Sequence, residues 1–177
     1  MKSYLCLLMF LLFAASIAAQ TNQRLTRQEQ RALIQQVCKD YGKMREHDDE
    51  MQEDCRRGRL EKIIKATAFA RIDLDGDAQP EYRLSITTPG ARLANSIETD
   101  FYIYQKMPQG YNLLFSETAY SLAVRKTMTH GYRDLFSENH GAESSFTVYK
   151  YDGKRYQEAD CWREERDRRG RTVRKKC

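Results

Sequence analysis

Apolar residues recur at every second position in most segments between Ile64 and Tyr151, and this periodicity restricts the fold more than any other feature. In "EYRLSITT", Tyr82, Leu84 and Ile86 alternate with charged or polar residues. Similar alternation continues in "TDFYIYQK", "YNLLFSE", "SLAVRKT", "YRDLFSE" and "SSFTVYKY". The pattern is typical of strands with one buried face, so we expect about eight short antiparallel strands, mostly joined as hairpins.

The segment "KIIKATAFARI" fits the same period, because small or apolar residues occupy one face from Ile64 to Ile72. Hairpin turns are predicted at "MPQG" and at Asp152-Gly153, a preferred centre for a two-residue turn. The chain has no glycine-rich phosphate loop and no alternation of strands with helices. These features argue against a nucleotide-binding α/β fold.

Residues 20–59 are predicted to be helical. Thr26 and Glu29 have the spacing of a capping box, in which each side chain satisfies a backbone N–H of the first turn. An apolar stripe follows at intervals of three and four residues: Leu33, Ile34, Val37, Tyr41 and Met44. The fold class is therefore α+β, with this segment packed on an antiparallel β-meander (a curved sheet, sandwich or barrel-like domain) over residues 60–177.

The first residues, "MKSYLCLLMFLLFAASIAAQ", combine an early lysine, an apolar run and small residues before Gln20. This order predicts a secretory signal over residues 1–19, because the run is short for a membrane span of about 20 residues. We expect an exported protein, periplasmic or extracellular, with no transmembrane anchor after signal removal.

Four cysteines follow the predicted signal, and an even number in an exported chain predicts two disulfides. A hairpin turning at "DRRG" would place Cys161 opposite Cys177, which leaves Cys38 to pair with Cys55. The second pair requires the helical segment to fold back, because one straight helix would hold the two cysteines about 25 Å apart. If the helix is continuous, both must instead bond to the C-terminal cysteines.

The stretch "IDLDGDAQPEY" concentrates carboxylates between two predicted strands. Asp73, Asp75 and Asp77 occupy alternate positions, and Glu81 follows. Calcium takes six to eight oxygen ligands, which such a loop supplies in part without large backbone movement. The alternative is an acidic turn in which the aspartates accept hydrogen bonds from nearby backbone N–H groups.

Within this stretch, "DLDGDAQPE" resembles the calcium loop of FG-GAP and VCBS-type repeats. The resemblance implies the following ligands: the side chains of Asp73, Asp75, Asp77 and Glu81 and the backbone carbonyl of Gln79. The chain departs from that pattern at Ala78, where glycine is usual, and at Glu81, where aspartate is usual. The loop also occurs once rather than in repeats, so the resemblance implies a calcium loop and not a propeller.

A broader layout covers "DLDGDAQPEY", "GYNLLFSE", "THGYRDLFSE" and "YKYDGKRY". It resembles small exported bacterial proteins of uncharacterised function that carry a GYRDL segment, which implies a stand-alone β domain and no particular activity.

Tyrosines crowd the β region and favour a binding role, because tyrosine offers contact area with a polar tip. Tyr102 and Tyr104 are predicted to share one strand face, opposite Phe101 and Ile103. The residues predicted to bind an unknown protein or glycan are Tyr102, Tyr104, Tyr132, Arg133 and Asp134. Two structural alternatives are that the tyrosines cover the rim of the core and that Arg133 pairs with Asp134.

Two other functions have weaker sequence support. A hydrolase, or an inhibitor of one, would draw on His130 and His140, which flank the "GYRDLFSEN" strand. Binding of an acidic polymer would use the residues from Arg168 to Lys176, because the C-terminal tail carries most of the net charge of +5. The simpler interpretation of that tail is a solvated end.

Overall fold

A computed structural model describes residues 24–41, 49–87, 99–140, 144–166 and 169–177. The predicted signal at residues 1–19, the apolar position Met44 and the tail residue Arg168 lie outside these ranges. Among the helices of the described ranges, none combines the length and the apolar character that crossing a membrane requires.

The N-terminal part is helical, as predicted. It contains α1 (Arg27–Tyr41), α2 (Asp49–Arg56) and α3 (Leu60–Ala66). The predicted capping box opens α1, because Glu29 accepts the N–H of Thr26 at 2.8 Å and donates its own N–H to the Thr26 hydroxyl at 3.2 Å. The predicted stripe is buried at its four described positions: Leu33, Ile34, Val37 and Tyr41.

The assignment of "KIIKATAFARI" wholly to a strand was wrong in its first half. Ile63 and Ile64 lie in α3 and are both buried, which a strand with one buried face would not allow for neighbours. The strand begins only at Thr67, whose hydroxyl donates to the Ile63 carbonyl at 2.7 Å as the helix ends. Short apolar runs fit both periods, and burial against α1 decides this one.

Antiparallel strands dominate the rest of the chain. The described residues contain nine: β1 (Thr67–Ile72), β2 (Glu81–Thr87), β3 (Thr99–Met107), β4 (Gly110–Ala119), β5 (Ser121–Thr129), β6 (Tyr132–His140), β7 (Ser144–Tyr151), β8 (Tyr156–Arg166) and β9 (Thr172–Lys176). Sheet 1 has the order β1-β2-β3-β4, and sheet 2 has the order β5-β6-β7-β8-β9. Within each sheet every strand pairs antiparallel with the next one in the chain, which confirms the predicted meander, but β4 and β5 belong to different sheets and do not pair. The loop at Asp152 has four residues, however, because Tyr151 pairs with Tyr156.

Helices, sheet 1 and sheet 2 form three layers. On one face of sheet 1, Leu84 and Tyr102 are paired across β2 and β3 and pack with the helices. On the other face, Phe101 and Ile103 pack against Leu135 and Tyr149 of sheet 2. Sheet 1 is therefore buried on both sides. The two sheets are open and face each other across the second of these cores, which we call the inter-sheet core.

The cysteines pair locally. Cys38 of α1 and Cys55 of α2 lie at disulfide distance, with Cα atoms 5.3 Å apart. Cys161 of β8 and Cys177 also lie at disulfide distance, with Cα atoms 5.4 Å apart. The crossed pairing is wrong because α1 ends at Tyr41 and a separate helix carries Cys55. The predicted C-terminal hairpin is confirmed by the pairing of β8 with β9.

Candidate metal centre

The acidic loop runs from Asp73 to Pro80 and joins β1 to β2, which pair at Ile72 and Glu81. One carboxylate oxygen from each of Asp73, Asp75 and Glu81 lies within 4.8 Å of the others. Asp73 is exposed, Asp75 is half-buried and Glu81 is 1% exposed. The loop therefore places three of the predicted ligands around one point that solvent reaches from the aspartate side.

All three aspartates of the loop also shape the turn. Asp73 accepts the N–H of Gly76 at 2.7 Å, and Asp75 accepts the N–H of Asp77 at 3.1 Å. Asp77 accepts the N–H of Gln79 at 2.6 Å. These contacts agree with the alternative prediction of a capped acidic turn. Each uses one carboxylate oxygen, so the turn contacts leave the second oxygen of Asp73 to contact a cation, whereas Asp75 also accepts a hydrogen bond from Tyr132.

The departure at Ala78 has a structural counterpart. Ala78 has a φ of 66°, which lies in the left-handed region that glycine adopts without steric cost. An alanine there costs about 1 kcal/mol or more. The backbone at this position is therefore one that glycine would adopt more readily than alanine.

Glu81 has the most unusual environment in the loop. Its Oε2 accepts the N–H of Leu74 at 2.8 Å. Burial raises the pKa of Glu81 from 4.5 to about 7, the Leu74 hydrogen bond opposes the rise, and the negative charges of Asp75 and Asp77 add to it. A buried carboxylate beside two others is a group that a cation would stabilise in its ionised form.

Of the two remaining predicted ligands, Asp77 does not belong to this cluster. The side chain of Asp77 is exposed and is not among the three that converge. The carbonyl of Gln79 stays a prediction.

The loop is fastened to sheet 2. Leu74 is fully buried in the inter-sheet core, and its carbonyl accepts the N–H of Arg133 at 2.8 Å. Tyr132 lies beside the same contact. Burial raises its pKa above the ordinary value, and a hydrogen bond from its hydroxyl to Asp75 adds to the shift. The acidic loop and the GYRDL segment, separate in sequence, therefore form one assembly.

Three tyrosines surround this assembly, and only Tyr132 was predicted. The ring centroids of Tyr132 and Tyr151 are 4.1 Å apart, and those of Tyr151 and Tyr156 are 5.6 Å apart. The Tyr156 hydroxyl donates to the Arg133 carbonyl at 2.7 Å. The contact between Tyr151 and Tyr156 could have been predicted from the sequence, because a hairpin at "YKYDGKRY" brings these two residues together.

The prediction that Tyr102 and Tyr104 form a binding surface was wrong. They are 3% and 0% exposed, because the face they share is the one that the helices cover. The Tyr104 hydroxyl donates to Asp40 of α1 at 3.2 Å. These two tyrosines belong to the core.

Asp134 is also unsuited to contact a partner. It is 3% exposed and accepts a hydrogen bond from the Thr129 hydroxyl at 2.7 Å. Arg133, its neighbour in β6, is exposed. Of the predicted binding residues, Arg133 and the half-buried Tyr132 remain at the surface.

His130 and His140 do not form a joint site. His140 ends β6 and His130 lies in the turn before that strand begins, so about 3.3 Å per residue over the strand separates them by about 30 Å. Nδ1 of His130 lies 2.8 Å from the Tyr151 carbonyl, and Nδ1 of His140 lies 3.3 Å from the Ser144 hydroxyl. An acid–base pair of these two histidines is therefore excluded.

The basic tail is folded into the C-terminal hairpin. Arg174 pairs with Glu164 at 3.1 Å and lies over the Trp162 ring at 4.7 Å. Lys175 pairs with Glu165. Acidic residues of β8 therefore offset part of the charge that binding of an acidic polymer would use.

Comparison with protein-family models, with curated proteins and with solved structures found no match in any of the three.

Proposed function

We propose that the protein is an exported, disulfide-stabilised binding module whose acidic loop holds one calcium ion. The observation that supports the ion is the convergence of the Asp73, Asp75 and Glu81 carboxylates within 4.8 Å. Glu81 is buried in that cluster, with the Leu74 N–H as a hydrogen-bond donor. Export is supported by the two cysteine pairs and by the signal expected at residues 1–19.

Calcium is the cation that suits this loop best. All of its candidate ligands are oxygens, which hard cations prefer over the nitrogen and sulfur ligands of zinc sites. Calcium accepts irregular geometry, whereas magnesium requires near-ideal octahedral coordination at shorter distances. A short loop that also uses its aspartates to cap the turn offers irregular geometry.

The ion is proposed to act structurally. The loop joins β1 to β2 in sheet 1, while Leu74 and Asp75 contact Arg133 and Tyr132 of sheet 2. An ion bound to Asp73, Asp75 and Glu81 would hold both attachments in place. The proposed contact surface for a protein or glycan is next to it, where Arg133 is exposed and Tyr132 and Tyr151 are half-buried.

Calorimetric titration of the purified, oxidised protein with calcium tests the site. We expect one bound ion per chain, with binding lost in Asp75→Asn. A matched control is Asp160→Asn, which removes an exposed carboxylate of β8 away from the loop and should leave binding unchanged. Absence of calcium binding to the wild-type protein, or equal loss in both variants, would contradict the proposal.

A further inference from the structure

A second candidate site lies on the opposite side of sheet 1 from the acidic loop's attachment. A cavity of about 250 Å³ opens between α2, α3 and the end of β2. Its apolar lining comes from Met51, Ile63, Ala66 and Ile86. Met51, Ile63 and Ile86 also belong to the core between the helices and sheet 1, so the interior of the cavity is part of a packed region.

Charged residues at the cavity mostly neutralise one another. Lys62 pairs with Glu50 at 2.7 Å and with Asp54 at 2.9 Å. Asp54 also pairs with Arg59. Lys65 lines the same cavity, is exposed, and makes no ion pair with the residues that the structure describes. The cavity therefore combines an apolar interior with one ammonium group that is available to a ligand.

We propose that this cavity binds a small amphiphile with an apolar body and a carboxylate, and that the carboxylate pairs with Lys65. An apolar cavity of about 150 Å³ is large enough for benzene. Scaling by volume gives room for an apolar body of about eight to ten carbon atoms, as in a medium-chain fatty acid. The inference concerns a different part of the molecule from the calcium loop and does not depend on it.

Octanoate, octanol and octylamine, titrated separately, are suitable probes. The readout is the methyl NMR signals of Ile63 and Ile86, which line the cavity. We expect octanoate to shift both signals and to bind more tightly than octylamine. Hexanoate should bind about 15-fold more weakly than octanoate, because each buried methylene adds about fourfold to the affinity.

Two variants separate the parts of the proposed site. Lys65→Gln should weaken octanoate about fivefold and leave octanol unchanged, whereas the control Lys106→Gln, an exposed lysine of β3, should change neither. Ala66→Leu should fill the cavity and weaken octanoate and octanol at least tenfold. If Ala66→Leu does not fold, the wild-type spectra and the octanoate affinity of Lys65→Gln still test the proposal. The proposal would be overturned if octanoate left the Ile63 and Ile86 signals unshifted. It would also be overturned if Lys65→Gln bound octanoate as tightly as the wild type does.

Discussion

Replacing Glu81 by glutamine tests how the buried carboxylate governs the acidic loop. Glutamine keeps the shape of the side chain and an oxygen that can accept the N–H of Leu74, but it carries no charge. The wild type and Glu81→Gln should therefore differ only in the protonation of this one group and in its ability to bind a cation.

The magnitude follows from the raised pKa. The Glu81 carboxyl has a pKa of about 7 in the folded protein and an ordinary value of 4.5. Between these pH values the folded state holds a proton that the unfolded state has released, so the free energy of unfolding falls as pH rises. Above about pH 7 the loss is complete. At 1.36 kcal/mol per pH unit, it amounts to about 3 kcal/mol without a cation.

Urea unfolding in a calcium chelator at pH 4.5, 6 and 8 measures this effect. The other carboxylates titrate in both proteins, so the difference between wild type and Glu81→Gln isolates Glu81. We expect nearly equal stability at pH 4.5 and an advantage of about 3 kcal/mol for Glu81→Gln at pH 8. Calcium at about 1,000 times its dissociation constant should stabilise the wild type by about 4 kcal/mol and reverse the order.

Two results would refute this reasoning. A difference between the proteins that does not change with pH would mean that Glu81 titrates normally, and that its burial does not raise the pKa. A pH-dependent difference that calcium does not change would agree with a raised pKa at Glu81. It would contradict the proposal that the loop binds a cation.

Three further changes test the packing around the loop and the helices. Leu74→Ala should lower the free energy of unfolding by about 3 kcal/mol, measured in urea, because it leaves a cavity in the inter-sheet core; a loss below 1 kcal/mol would contradict the docking of the loop. Replacing both Cys38 and Cys55 by serine should cost about 3 kcal/mol in the same assay, and an unchanged midpoint would count against the bond. Tyr104→Phe should cost about 1 kcal/mol by removing the hydrogen bond to Asp40, and thermal unfolding identical to wild type would mean that this bond contributes nothing.

Local patterns predicted the features that depend on a few neighbouring residues. The capping box at Thr26 and Glu29 and the alternation in β2 were correct because each is a short-range property. The pattern failed at Ile63 and Ile64, where a short apolar run fits a helix as well as a strand. There, contacts with α1 rather than local preference determined the structure.

Alternation also predicted that Tyr102 and Tyr104 share a face, but it could not tell which layer that face would meet. The chain enters sheet 2 directly after β4, since Ala119 ends one strand and Ser121 begins the next. That change of sheet gives sheet 1 a partner on its Phe101 face and leaves its tyrosine face to the helices. Only the tertiary arrangement distinguishes a buried tyrosine row from an exposed one.

The arrangement of sheets also bears on why one acidic loop, without repeats, would suffice. The hairpin of β1 and β2 could close without Leu74, yet that side chain is fully buried in the inter-sheet core and its carbonyl is bonded to Arg133. Asp75 is hydrogen-bonded to Tyr132 on the same strand. A cation held by Asp75 and Glu81 would thus stabilise the contact between two sheets rather than one turn. Removal of the cation should separate the loop from β6 before the β1–β2 pairing is disturbed. Amide hydrogen exchange should then become faster at Arg133, whose N–H is bonded to Leu74, before it becomes faster at Leu84.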